Sequence, residues 1–206
     1  MDELVRLGMA KWPNVPDCYD WLALDARGRW RIGETRQPIT HQPTIEFIGR
    51  NYDCDDLGRW RFQNGPQRVF VVLEYTPFVF RVHPREHGMV LLDHRGIAAA
   101  RPESVWIDDG GRFLVECDKR VGVVHDHDSA LLLGMACDRS GRPLDDLEIE
   151  SVIERAAQQS ADALDCALAW PDGEAPLSLR VIERARVAEH FGFVAQPAPG
   201  NGVGVR

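Results

Sequence analysis

The feature that most constrains this chain is a turn signal that keeps returning. An Asp stands three residues ahead of a Gly in Asp25-Ala26-Arg27-Gly28, Asp55-Asp56-Leu57-Gly58, Asp108-Asp109-Gly110-Gly111 and Asp138-Arg139-Ser140-Gly141. Asp bonds the local backbone, and Gly accepts a positive φ, so each tetrad reverses the chain. The flanks read as strands: Trp21–Leu24, Arg29–Ile32, Arg59–Phe62, Arg68–Val72, Phe78–Phe80, Met89–Leu92 and Arg112–Val115. Asn64-Gly65 adds a further hairpin signal. The fold class expected is α+β and strand-rich, with repeated β-hairpin units, short helices and a helical C-terminal part.

Two hairpin stretches align beyond the turn. Gly58-Arg59-Trp60 matches Gly111-Arg112-Phe113, and Arg68-Val69-Phe70-Val71-Val72 matches Arg120-Val121-Gly122-Val123-Val124. Phe78–Phe80 then falls opposite Ala130–Leu132, so 58–80 and 111–132 are expected to superpose as one duplicated arrangement. Chance likeness between Gly-, Arg- and Val-rich hairpins is the competing reading. Short helices are expected over 1–10 and from Thr40 through Asn51, where Ile45, Ile48 and Tyr52 share a face. A helix is expected from about Leu144 to Gln159, and a second from Ser178 to Gly192. Pro171-Asp172-Gly173 reads as a turn. The expected division is a leader (1–16), a first repeat unit (17–100), a second with a helix (101–160), a strand-helix segment (161–195) and a mobile tail (196–206).

Charge and composition exclude several function classes. The net charge of −8 disfavours a general nucleic-acid or anionic-membrane binder. No segment reaches the ~20 apolar residues of a membrane helix, and Met1–Arg6 lacks a basic head and apolar core. The expected compartment is the cytoplasm. Cys18, Cys54, Cys117, Cys137 and Cys166 include no C-x-x-C pair and read as reduced thiols.

The stretch Asp25–Val82 resembles an uncharacterised family of small bacterial proteins, a domain family of unknown function. Its pattern is a D-x-x-G-x-W turn, then G-x-x-x-P-I, a short helix, a D-x-G turn and a late P-F. Asp25, Gly28 and Trp30; Gly33, Pro38 and Ile39; Asp56 and Gly58; and Pro77 with Phe78 carry it here. Thr40 stands where an Arg is usual, and the Gly33–Pro38 spacing is long. The resemblance implies a repeated sheet-and-helix fold with a ligand-binding or signalling role. It transfers no catalytic residue.

Three residue groups are candidate sites. Arg29, Arg31, Arg59 and Arg61 flank Trp30 and Trp60 in two Arg-Trp-Arg triplets. Strand alternation expects both Trp inside and all four Arg outside, where converging guanidinium groups would suit a small anionic ligand. The alternative is four solvated arginines paired with acids. His125-Asp126-His127-Asp128 is the second group: on a strand, His125 and His127 share a face and suit a metal, with Asp126 and Asp128 opposite. A polar hairpin tip is the competing reading. His83-Pro84-Arg85-Glu86-His87 fits H-x-x-E-H. That chemistry needs a helix, and the strand-like flanks make these residues a loop that binds no zinc.

No G-x-S-x-G or phosphate-binding glycine loop occurs in the sequence. The leading reading is a non-enzymatic module binding a small anionic ligand or a protein partner, with no cofactor and no catalytic residues. The alternatives are a metal-dependent hydrolase using His125 and His127, or a homodimeric assembly protein.

Overall fold

One carboxylate builds each hairpin turn. In the computed structural model, which describes residues 1–86, 88–158, 165–171 and 174–200, Asp55 Oδ1 accepts from the Leu57 and Arg59 backbone N–H groups at 3.1 and 3.0 Å. Its own N–H donates to Arg59 O, and Gly58 N–H donates to Asp55 O. Asp25, Asp93, Asp108 and Asp138 repeat these bonds. The Gly in fourth place takes φ between 75° and 87° in all five turns. This is a type I turn followed by a glycine bulge, which matches the twist of the strands it joins. The Asp93-His94-Arg95-Gly96 turn adds to those read from the sequence.

The chain forms two compact units, Met1–Pro77 with the segment from Ala188, and Phe78–Val187. The division falls at 77/78, not near residue 100 as expected. The first unit begins with helix α1 (Glu3–Lys11). A three-strand meander follows: β1 (Cys18–Leu24), β2 (Trp30–Ile32) and β3 (Gln37–Pro38). Helix α2 (Gln42–Arg50) leads to a second meander of β4 (Tyr52–Cys54), β5 (Trp60–Asn64) and β6 (Gln67–Leu73). The sheet order is β3-β2-β1-β6-β5-β4, with β1 and β6 parallel at its centre. Trp30 is 1% exposed and packs edge-on against Tyr52, with ring centres 5.1 Å apart. Phe47 of α2 meets Phe62 of β5 edge-on at 5.4 Å.

The second unit starts with the same path. Strands β7 (Phe78–Arg85), β8 (Gly88–Asp93) and β9 (Ala98–Ala99) form one meander; β10 (Ser104–Asp108), β11 (Phe113–Cys117) and β12 (Arg120–Val124) form the next. Here β7 and β12 are the parallel central pair. Helix α3 (Ser129–Leu133), β13 (Ala136–Cys137), helix α4 (Asp146–Ala157), β14 (Ala167–Leu168) and β15 (Leu177–Ile182) follow. A capping box starts α4: Asp145 accepts from Glu148 N, and the Glu148 carboxylate accepts from Asp145 N, both at 2.9 Å. The nine-strand order is β13-β14-β15-β10-β11-β12-β7-β8-β9 among the described residues. The architecture is α+β and strand-rich.

Several expectations are corrected. The helix expected from Ser178 is strand β15, because Leu179–Ile182 find a parallel partner in β10 and Leu177 an antiparallel one in β14; short helical turns follow over Arg184–His190. Residues 58–73 and 111–124 are both hairpins, but Phe78–Phe80 is strand where Ala130–Leu132 is helix. His83 lies in β7, paired with Val90 across the β7–β8 hairpin, rather than in a loop. His87, Gln159, the Asp172-Gly173 turn and tail residues 201–206 lie outside the described residues. Just ahead of the expected tail the chain is tied down: Val194 N–H donates to Gly58 O and Leu73 N–H to Ala195 O, both at 2.8 Å. A Cβ on Gly58 would collide with Gly192 O, so this approach requires glycine.

Candidate metal-binding turn

The second unit ends its β12 ladder in a turn, not in further strand. His125 N–H donates to Phe80 O at 2.9 Å, the last bond of the β12–β7 pairing. Residues Asp126–Asp128 then form one turn of 3-10 helix, closed by Asp128 N–H donating to His125 O. The cause is Asp128, which is 4% exposed. Its Oδ2 accepts from Arg81 Nε at 2.6 Å and from Val82 N–H at 2.9 Å, and its Oδ1 from Arg81 Nη2 at 3.1 Å. A buried carboxylate needs such partners, and they are found on β7. Burial alone would raise the Asp128 carboxyl, but the Arg81 and Val82 bonds outweigh it and hold it below the usual range.

This turn overturns the strand geometry expected for His125 and His127. The two imidazoles still meet, with ring centres 4.7 Å apart and nearly edge-on. Asp126 joins them on the same side, where strand alternation had placed it opposite. One ligand atom from each of His125, Asp126 and His127 lies within 4.8 Å of the others. Asp126 Oδ1 sits 2.8 Å from His125 Nδ1 and 3.0 Å from His127 N. The His127 N–H is shared between that carboxylate and His125 Nδ1, which accepts it at 3.2 Å. Each imidazole has a ring nitrogen able to ligate a metal. Burial lowers the His125 pKa, against the pull of Asp126, so its ring is neutral at neutral pH.

The four arginines do not converge. Arg29 and Arg31 both pair with Asp25, each at 2.8 Å. Arg59 pairs with Asp55 at 2.8 Å, and Arg61 lies 3.8 Å from the same carboxylate. The turn Asp captures the Arg four residues on, and β2 and β5 are separated by β1 and β6. Trp30 is inside as expected, but Trp60 is half-buried. Arg59 and Arg61 are mostly buried, Arg59 lying over the Phe70 ring at 4.6 Å.

Other chemistry-bearing groups are quiet. Burial pushes the Cys54 and Cys166 thiols up to about 11 and Cys117 up to about 12, so they are protonated and unreactive at neutral pH. Beside α4, Asp138, Arg142, Leu144, Glu148 and Val152 line a groove of about 320 Å³. Arg142 spans it, bonding Asp138 at 3.1 Å and Glu148 at 2.7 Å. No helix among the described residues is long and apolar enough to cross a membrane.

The fold has relatives among solved structures. A DUF1285 family protein from Silicibacter pomeroyi DSS-3 is similar at a TM-score of 0.50 and 15% identity, covering 84% of this chain and 87% of that one. A second DUF1285 family protein, from Shewanella baltica OS155, has a TM-score of 0.40 and 12% identity over 52% of this chain and 85% of that one. The first likeness bears on fold alone. No curated protein matches the sequence. The family model matches residues 1–198, and the chain belongs to the DUF2944 family, described as a protein of unknown function (DUF2946).

Proposed function

We propose that this protein is a non-enzymatic binding module that holds a divalent transition metal at His125, Asp126 and His127. The observation that carries the reading is the meeting of two imidazoles and a carboxylate within 4.8 Å, on a turn pinned at both ends. Two imidazoles with one carboxylate suit zinc, nickel, cobalt or copper rather than calcium or magnesium. Hydrolysis fits less well. A hydrolase needs a base beside the metal-bound water. Asp128 is committed to Arg81 and Val82, and Asp126 is itself a metal ligand in this reading. The matching strand paths of the two units favour a duplicated origin.

Metal titration of chelator-treated protein tests this. Zinc or nickel should bind in one-to-one stoichiometry. At a hundredfold excess over Kd it should stabilise the fold by about 2.7 kcal/mol. His127→Ala, at an exposed position, should fold normally and lose the effect. A His127→Ala protein that binds metal as the wild type does, or a wild type without stoichiometric uptake, would sink the reading.

A further inference from the structure

We propose that the metal at His125, Asp126 and His127 presents a small oxyanion, a carboxylate or phosphate group, to Arg81. The inference rests on the metal reading above. Three consecutive residues supply all the protein ligands, so they can occupy only one side of the metal and leave coordination positions open to a ligand from solution. Arg81 is held against the same turn by its bonds to Asp128, the residue that follows His127.

Arg81 is set up for this role. Its Nε and one N–H of Nη2 are spent on Asp128. A guanidinium has five N–H donors in a fixed fork. The side-on grip of Asp128 therefore leaves the outer edge, Nη1 with the second N–H of Nη2, and Nη1 makes no bond among the described residues. The side chain is 44% exposed, so that edge is reachable from solvent. Asp128 fixes the fork's plane in advance, which removes much of the ordering cost of binding. With Asp128 neutralising Arg81 and Asp126 offsetting half of the metal charge, the loaded site keeps a net positive charge. An oxyanion can bridge it, with one oxygen on the metal and another on the guanidinium edge.

The test uses cobalt-loaded full-length protein, whose visible absorption reports a change of metal ligands. Inorganic phosphate and succinate are titrated separately, which distinguishes the phosphate from the carboxylate source. At least one should shift the spectrum saturably, and should bind metal-free protein at least tenfold more weakly. Arg81→Lys keeps the charge opposite Asp128 but loses the fork. In protein saturated with cobalt it should weaken the anion about tenfold. Equal anion affinity for Arg81→Lys and wild type overturns the proposal, as does equal affinity with and without cobalt. Cobalt uptake with no response to either anion overturns it while the metal reading stands. Absence of cobalt uptake overturns both. Should Arg81→Lys fail to fold, the loaded and metal-free wild type, with His127→Ala as control, decide the matter.

Discussion

The two units follow one path through their sheets and fill that path differently. Each runs meander, connection, meander, and each closes by pairing its first and last strands in parallel. In the first unit the connection carries helix α2; in the second it is the short stretch 100–103. At matched places in the closing strands, β6 has Phe70 and β12 has Gly122. Phe70 is fully buried, stacked on Tyr19 at 4.7 Å, with Arg59 over its ring. Gly122 is bare because the ring of Phe80 fills its space. A Cβ there would come within 2.6 Å of that ring and 2.8 Å of Phe78 O. The lesson is that the turns and strand pairings define the path, while the core can be filled from either strand of the central pair.

Substitutions can break this comparison in order of size. Phe70→Ala should cost on the order of 3–5 kcal/mol, and Gly122→Ala up to about 3 kcal/mol despite adding only a methyl group. Denaturant midpoints read both. A neutral Gly122→Ala would show that Phe80 repacks at no cost, and the complementary filling would be discarded.

The next contrast is between turns. Asp55 and Asp138 make the same backbone bonds, but Asp55 is mostly buried against Arg59, whereas Asp138 is half-buried and its partner Arg142 is exposed. Asp55→Ala removes two backbone bonds and an ion pair, and should cost about 2 kcal/mol; Asp138→Ala should cost less. Burial would raise the Asp55 carboxyl, but Arg59 and the turn N–H groups hold it below its ordinary value. Its contribution should therefore be complete above the unfolded value of about 3.9 and fade as pH falls through the folded one. The Asp138 carboxyl, bonded by the Ser140 hydroxyl at 2.6 Å, is brought down to about 2. Carboxyl NMR titration should find Asp138 ionised at pH 3; a midpoint near 4 would contradict the turn geometry.

The smallest contrast lies between two arginines in equivalent turn positions. Arg59 is 13% exposed and lies on Phe70, while Arg29 is 54% exposed. Arg59→Ala should cost about 1 kcal/mol and Arg29→Ala less than about 0.5 kcal/mol. Equal losses in a thermal melt would mean that the ring contact contributes nothing.

Much of the path was readable because it is local. An Asp-x-x-Gly tetrad carries its own bonds, so the turns at Asp25, Asp55, Asp108 and Asp138 could be read from four residues each. The turn at Asp93 uses the same bonds but has Ile97 where the others have Arg, and it escaped notice. The family pattern drew attention to Asp56, whereas the turn carboxylate is that of Asp55. What was not readable depends on partners far along the chain. Leu177–Ile182 looks helical until β10 supplies a parallel edge seventy-odd residues away. His125–Asp128 looks like alternating strand until Arg81 and Val82 draw Asp128 inward. Arg59 looks solvated because the Phe70 ring it lies on belongs to the next strand, although its partner Asp55 is only four residues away.

The bonds from residues 194–195 back to Gly58 and Leu73 set an order of events during synthesis. The first unit has its strands once residue 77 has left the ribosome, but these two backbone groups gain their partners only after all of 78–187 has been made. At cellular elongation rates the wait is roughly 5–20 s. The second unit has time to fold within that interval, and residues 194–195, which emerge after it, fasten the first unit once its neighbour in the chain is complete.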